Sequence, residues 1–365
     1  MIGRSNESGS RPQGGDAAAG LPDYIHPPGE GGETTEIRLS VERHEGGLRL
    51  DRFVAIRLPD VSRSRIQQWI ALGAVEVEGA GRSAKHRLIG YESVTVIPQP
   101  RAAESAFAPD PVPLSVVHSD EHLLVIDKPP GLVTHPAAGH WRGTLMNGVL
   151  HHWPDQAGLP RAGIVHRLDK DTSGLLVVAR SELAIVRLVA QLADRSMSRR
   201  YLALVDGETP DSGTIDAPIG RDPQSPIRMA VVDAHKGRHA VTHFKTIQRG
   251  RLGNGKPVSL VLCQLQTGRT HQIRVHLQHF GFPLIGDAVY GRGIGGGASG
   301  GIGGGAGVAG VAGVAGFGRQ ALHAWRLGLN HPADGRPVSW ASPIPADLVQ
   351  LLEQCQIDAC SLPEV

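Results

Sequence analysis

The chain has 365 residues, 40% of them apolar, and a formal net charge of +2. That length accommodates two domains, one with a substantial core. The three cysteines, Cys263, Cys355 and Cys360, sit at unrelated spacings, which excludes a disulfide framework and a zinc motif. No apolar run is long enough to span a bilayer and the N-terminus lacks the apolar core of a signal peptide, so a reduced, cytoplasmic protein is expected.

Charge is unevenly placed. Residues 1–36 carry Arg4 and Arg11 against Glu7, Asp16, Asp23, Glu30, Glu33 and Glu36, a local balance of −4. The remainder is therefore about +6, which suits a polyanionic partner. Residues 1–35, rich in Gly, Pro, Ser and acidic groups, read as a disordered tail. Residues 36–98 read as a small α/β unit. In it Leu50, Phe53 and Ile56 recur at helical spacing. Ser64 with Gln67 predicts a capping box for a second helix, whose apolar positions are Ile66, Trp69, Ile70 and Leu72 and whose stop is Gly73. Short strands are expected at 75–78 and 94–97.

The runs Arg49-Leu50-Asp51-Arg52-Phe53, Ser62-Arg63-Ser64-Arg65-Ile66 and Gly73-Ala74-Val75-Glu76-Val77 resemble the S-four RNA-binding domain, named for a ribosomal protein. The resemblance implies that Arg52, Arg63, Arg65, Arg82, Lys85 and Arg87 grip RNA phosphates, a salt-sensitive and mainly positioning contact. Without the resemblance these residues read as a solvated basic face on a helical pair.

A Pro/Ala linker is expected at 99–113. From 114 to 355, β runs alternate with helices as in a mixed α+β domain. Strands are predicted at 123–126, 201–205, 240–244 and 260–263, and helices at 144–152 behind Thr144, 182–194 behind Ser181, and 347–355. In the middle helix Leu183, Val186, Val189, Ala190 and Ala193 mark the face expected to be buried. Residues 291–318 are roughly half glycine and read as a flexible insertion, because such a run cannot recover its ordering entropy by burial. Gly-x-Gly-x-x-Gly matches inside it lack a strand before and a helix after, so no nucleotide site is expected. Residues 356–365 read as a tail.

The most informative stretch is Val165-His166-Arg167-Leu168-Asp169-Lys170-Asp171-Thr172-Ser173-Gly174. It reads as a polar connector between two short β-type runs, 162–165 and 175–179, presenting a carboxylate, cations and hydroxyls at a sheet edge. On composition alone it could equally be a hairpin connector that caps its own backbone. A protein-kinase catalytic loop orders His-Arg-Asp directly, whereas Leu168 intervenes here and no Asp-Phe-Gly element accompanies it.

The decapeptide resembles the signature of the large-subunit-type pseudouridine synthases, the RluA family. Two further blocks resemble the same family: Asp127-Lys128-Pro129-Pro130-Gly131-Leu132-Val133-Thr134-His135-Pro136, and Gln266 through Leu277 continued by Pro283-Leu284-Ile285-Gly286-Asp287. A C-terminal block from Ala321 to Pro332 resembles the family's last strand. The resemblance implies an α+β fold, with a mainly antiparallel catalytic sheet behind the S-four-like domain. It also implies isomerisation of uridine to pseudouridine in large-subunit (23S) ribosomal RNA, without cofactor or metal.

In that reaction the bond from ribose to the base nitrogen breaks, the base turns, and carbon 5 rejoins the sugar. A carboxylate with an ordinary pKa of about 3.9 is already ionised at neutral pH and needs no activating base. The resemblance makes Asp169 the nucleophile, attacking the anomeric carbon or acting through a base adduct or a glycal. It makes Arg274 the bidentate partner that holds Asp169 charged, and Tyr201 the ring that stacks on the base and removes the carbon-5 proton. A phenol with pKa near 10 needs local help for that last role.

Arg167 would fill the stack vacated by a flipped nucleotide, and Ile273 would line the base pocket. His166 is placed with the substrate-binding residues, and Lys128 and Arg269 with phosphate contacts. His235, His239 and His243 are spaced as on one helical face, but Gly237 and Val241-Thr242 argue against a helix and so against a metal site. His271, His276 and His279 read as packing or RNA contacts. The expected partner is ribosomal RNA, with no membrane and no required protein partner. The same reaction on another RNA such as tRNA is the alternative within enzymology. Outside it stands a non-catalytic RNA-binding assembly factor, which the intact trio of Asp169, Tyr201 and Arg274 disfavours.

Overall fold

The computed structural model describes residues 36–98, 106–137, 140–225, 228–291, 317–359 and 362. The predicted tail at 1–35, nearly all of the glycine-rich insertion, the start of the linker and part of the C-terminal tail lie outside the described residues. Contacts divide the chain into two compact units, Met1–Gln99 and Pro100–Val365, so the break falls at the predicted linker.

In the first unit β1 (Ile37–Ser40), β2 (Val75–Val77), β3 (Ala80–Gly81) and β4 (Ser93–Val96) form an antiparallel sheet in the order β1-β4-β2-β3. Helices α1 (Leu50–Arg57) and α2 (Arg63–Ala71) bury Leu50, Phe53, Val54, Ile66, Trp69 and Ile70 against the valines of that sheet. Ile56, expected inside, is exposed. Six residues at about 100° each leave it about 120° around α1 from Leu50, and Val54, about 40° from Leu50, takes the inner place. Leu72 is likewise 72% exposed, since it follows the last turn of α2.

The predicted Ser64–Gln67 capping box does not form. Ser62 caps α2 by accepting the Arg65 N–H, and the Gln67 amide instead donates to Asp51 at 2.6 Å. Asp51 is wholly buried and also accepts from Arg49 (2.9 Å) and Arg63 (3.0 Å). Arg63 is thus paired with an internal carboxylate while its side chain stays 48% exposed. Arg65 lies over the Trp69 ring at 5.2 Å.

Burial alone would raise the Asp51 pKa, but bonds from Gln67, Arg49 and Arg63 outweigh it and bring it down to about 2. An aspartate depressed below its unfolded value of about 3.9 stabilises the fold above that pH. The contribution fades as pH falls through about 2. Amide hydrogen exchange across α1 and α2 is expected to speed up in that window, and Asp51→Asn should remove the pH dependence. Unchanged protection from pH 5 to pH 2 would contradict this.

The second unit is built on a nine-stranded sheet. Its strands are β5 (Ser115–Ser119), β6 (Leu123–Lys128), β7 (Ser173–Ala179), β8 (Ser198–Asp206) and β9 (Ser212–Asp216). After a separate hairpin, β10 (Ile219–Arg221) with β11 (Met229–Val231), the sheet continues with β12 (Val241–Arg251), β13 (Pro257–Leu265), β14 (Leu322–Asn330) and β15 (Pro337–Ala341). The order is β5-β6-β7-β14-β8-β13-β12-β9, with β15 beside β14. Every pairing is antiparallel except β7 with β14. The helices are α3 (Leu145–His152), α4 (Glu182–Ala193), α5 (Gln272–His279) and α6 (Ala346–Gln354). Thr144 and Ser181 cap α3 and α4 as expected.

Strand residues alternate between two buried faces, which is why these runs are apolar throughout. Leu124 and Ile126 of β6, with Tyr201, Ala203 and Val205 of β8, pack under α3 and α5. Leu123 and Val125 face α4, and Leu202 and Leu204 face α6. The inner face of α4 is Ala184, Leu188 and Gln191, not the predicted stripe. Leu183, Val186, Val189, Ala190 and Ala193 all point outward, Val186 being 67% exposed. Gln191 both donates to the Asn330 carbonyl and accepts its N–H at 2.7 Å. That pair fixes which side of α4 meets the sheet. Among the described residues no helix is long and apolar enough to cross a membrane.

The decapeptide precedes one strand only. Residues 160–163 form a short 3-10 turn rather than a strand, and Ile164 makes an isolated bridge to Val178. Gly174 opens β7 at a φ of +109°, where an added Cβ would lie 2.2 Å from the Ala324 carbonyl oxygen. Only glycine lets β7 come this close to the parallel strand β14.

Candidate active site

The loop between 165 and 173 carries Asp169 at the head of the central strand β7 and is stapled from several directions. Lys128 Nζ donates to the carbonyls of Pro129, Leu132 and Lys170, each at 2.9 Å. Thr134 Oγ1 donates to Leu168 O at 2.8 Å, and the Gly131 N–H donates to Lys170 O at 2.9 Å. From the other side the Arg319 guanidinium reaches Asp171 O, and the Gln320 amide reaches Thr172 Oγ1. Leu168 points into the core and anchors the turn.

Two expected substrate contacts are thereby corrected. Lys128 is 0% exposed and has no face left for a phosphate. Three donors on three carbonyls spend its hydrogen-bonding capacity on tying its own turn, at Pro129 and Leu132, to Lys170 of the Asp169 loop. Burial pushes its pKa down to about 7, against the pull of Asp171 and Asp169. Three carbonyl acceptors favour the ammonium, because a neutral amine has one donor too few. His166 likewise turns inward. Its Nε2 accepts the Val177 N–H at 3.0 Å, and burial holds its pKa near 3, so the ring is neutral. Both residues shape the loop and leave substrate contact to others.

Asp169 keeps a side-chain exposure of 15%. Its Oδ2 accepts from Arg274 Nη1 at 3.0 Å. The contact was expected, but its form differs, because the bidentate partner of Arg274 is Asp287. Arg274 Nε and Nη2 donate to Asp287 at 2.7 and 2.9 Å, and only Nη1 is left for Asp169. Asp287 is fixed in turn by the N–H groups of Val289 and Tyr290, both at 2.9 Å. Burial opposes the charge on Arg274, but bonds and charges from Asp287 and Asp169 outweigh it and raise its pKa. Tyr290 lies beneath the guanidinium, 4.9 Å from ring centroid to Cζ. α5 thus delivers a guanidinium that cannot swing away from Asp169.

Tyr201 is 6% exposed and shares a core cluster with Leu168 and Ile273. Burial pushes its phenol up to about 12, with Arg199 pulling down and Asp169 pushing up. A phenolate is thus harder to form here than in water, so a role as free base is disfavoured. A role as stacking ring and neutral donor fits better. Ile273 is buried beside Arg274 on α5. Arg167 is exposed and makes no hydrogen bond or ion pair with the described residues. Arg269 donates through Nε to His239 O, and burial together with Arg238 and Arg195 lowers its pKa. His235 and His239 fall in a loop and His243 on β12, so the three share no helical face. Arg63 and Arg65 belong to the first unit.

Asp287 and Tyr290 were missed as site residues. The signal for Asp287 was its place at the end of the third family-like block. His271, read as packing or RNA contact, has Nε2 at 3.9 Å from Asp169 Oδ1.

The site thus brings together a recessed carboxylate, a guanidinium shared between Asp169 and Asp287, an aromatic ring and an apolar side chain. The family profile described as RNA pseudouridylate synthase matches residues 122–279, which contain Asp169, Tyr201 and Arg274. The chain is 44% identical to ribosomal large subunit pseudouridine synthase D of Nitrosomonas europaea, over 87% of this chain and 87% of that one. It is 47% identical to the protein of the same name from Pseudomonas aeruginosa, over 86% of this chain and 93% of the relative. Among solved structures, human RNA pseudouridylate synthase domain containing 1 matches with a TM-score of 0.48 and 28% identity, covering 65% of this chain and 85% of that one. The chain belongs to the RNA pseudouridine synthase family, in its RluA branch.

Proposed function

We propose that this protein converts specific uridines of large-subunit ribosomal RNA to pseudouridine, with Asp169 as nucleophile and no cofactor. The observation that carries the reading is the Asp169–Arg274 contact at 3.0 Å, in a site open enough to leave the carboxylate partly exposed. Arg274 sets the rotamer of Asp169, Tyr201 and Ile273 hold the base, and Arg167 supports the displaced stack. The reaction breaks the bond from C1′ to N1 and forms one from C1′ to C5. The C5 proton is lost and N1 gains one, so atoms balance without an oxidant or a metal. Lys128 and His166 act one step back, by holding the loop.

Ribosomal RNA is the substrate named for the relatives, and the first unit supplies exposed cations at Arg52, Arg82, Lys85 and Arg87 to hold it. The test is pseudouridine mapping by chemical labelling, using purified protein with a large-subunit transcript and a tRNA pool in the presence of EDTA. Modification of defined large-subunit uridines is expected. Modification of the tRNA pool alone would move the substrate, and no product with either would overturn the reading. Replacing Arg82 and Lys85 together by Ala is expected to weaken RNA binding and reduce its log–log salt slope by roughly 2. An unchanged slope would remove these residues from the RNA-binding face.

A further inference from the structure

Asp169 has two carboxylate oxygens, and only Oδ2 is accounted for by Arg274. Oδ1 faces His271, whose Nε2 is 3.9 Å away, too far for a hydrogen bond in this state. His271 sits at the N-cap of α5 with a φ of +56°, a left-handed backbone that L-residues adopt rarely and that aims this ring at Asp169. Its other nitrogen, Nδ1, lies 2.9 Å from the Tyr290 hydroxyl. That hydroxyl already accepts the N–H of Met229 at 2.9 Å. The Tyr290 ring is held in place by the guanidiniums of Arg274 and Arg228, at 4.9 and 5.3 Å.

A tyrosine hydroxyl has a single hydrogen, and among the described residues Nδ1 is the one acceptor within its reach, so that hydrogen points at Nδ1. A histidine that accepts at Nδ1 carries its proton on Nε2. The opposite tautomer would aim a lone pair at a carboxylate oxygen. The imidazolium is opposed by burial, by Arg274 and by Arg167, while Asp169 and Asp287 favour it, and the balance lowers the His271 pKa.

We infer that His271 is a positioning residue for the isomerisation, held by Tyr290 as the Nε2–H tautomer so that a neutral donor stands beside the free oxygen of Asp169. This inference rests on the reading of Asp169 as nucleophile. A neutral donor leaves that oxygen more reactive than a second cation would, because its pull on the developing charge is weaker. From 3.9 Å it moves into hydrogen-bond range when Oδ1 regains full charge as the sugar bond to Asp169 breaks. His271 thus acts through Asp169 and exchanges no proton with the substrate.

The test compares His271→Gln, His271→Phe and Tyr290→Phe in the full chain, by single-turnover pseudouridine formation and by RNA affinity. All three keep an L-residue of similar size, and a thermal melt checks folding. His271→Phe is expected to lower kcat about 30-fold with little change in KM, His271→Gln to recover part of that loss through its amide donor, and Tyr290→Phe to lose about 5-fold. In the His271→Phe background the Tyr290→Phe change should cost nothing further. Nitrogen-15 NMR of the imidazole in the wild-type protein should show the proton on Nε2, with the Nδ1–H form growing in Tyr290→Phe. Equal losses for Gln and Phe, additive losses in the double variant, or an Nδ1–H resonance in the wild type would each overturn the inference. Because Asp169→Ala is scored separately, retained activity there would instead overturn the nucleophile assignment.

Discussion

Asp169→Ala is expected to abolish pseudouridine formation, lowering kcat by at least about 10⁴-fold, while RNA affinity stays near that of the wild type. The chemistry needs a group that holds the sugar while the base turns, and a methyl group has no lone pair to offer. Affinity survives because the carboxylate contributes no positive charge to the RNA-binding surface and RNA affinity is dominated by phosphate contacts. Folding should survive as well. Arg274 remains bidentate on Asp287 after the change, so the guanidinium is not left alone, and the stability cost is about 1 kcal/mol. The measurement is single-turnover product formation beside a filter-binding titration and a denaturant melt. Product at a measurable fraction of the wild-type rate would transfer the nucleophile's role elsewhere.

Arg274→Lys separates geometry from charge. The guanidinium serves two carboxylates at once, with Nε and Nη2 on Asp287 and Nη1 on Asp169. A lysine brings one compact ammonium, which can satisfy one of them from any single position. Asp287 is the more deeply buried and has two backbone donors beside it, so the ammonium is drawn there and Asp169 loses its guide. The expected result is a kcat lower by about 10²–10³-fold with a modest change in stability. Arg274→Ala should be worse for the fold, by about 3–5 kcal/mol, because it strands a buried Asp287. Wild-type turnover in Arg274→Lys would mean that a positive charge alone suffices and that the planar fork is irrelevant.

Much of the site was legible because its parts lie in contiguous motifs. Asp169 and Arg167 share one decapeptide, and Ile273 and Arg274 share another block, so the family resemblance marked them, although no helix was predicted over 272–279. Thr144 and Ser181 announced their helices because a cap is a local device, satisfied within three residues of itself. Residues whose partners are remote were read less well. Lys128 was placed with the phosphate contacts, but the carbonyl of Lys170, 42 positions along, helps draw it inside. His166 was placed with the substrate-binding residues, but its ring meets the backbone of β7.

The outward stripe on α4 shows a subtler failure. That helix is apolar on most of its circumference, and the predicted stripe ran through Val186 and Val189. Gln191 decides otherwise, because its amide completes the backbone hydrogen bonds of Asn330 at the end of β14. Helical spacing says which residues share a face, and a long-range polar pair says which face goes in. The Ser64–Gln67 pair in the first unit failed by the same logic, since the buried Asp51 recruited the Gln67 amide.

Read alone, the 365 letters carry the family-like motifs, the caps of α3 and α4 and the acid at 169, since each is written in neighbours a few positions apart. Folding alone decides that Arg274 divides itself between Asp169 and Asp287, that Lys128 is a clamp, and that Tyr290 aims His271. Those outcomes turn on hydrogen-bond capacity being shared among groups from distant strands and helices. A chain read in one dimension carries the donors and acceptors but not the pairing, which is settled when burial removes water as the alternative partner.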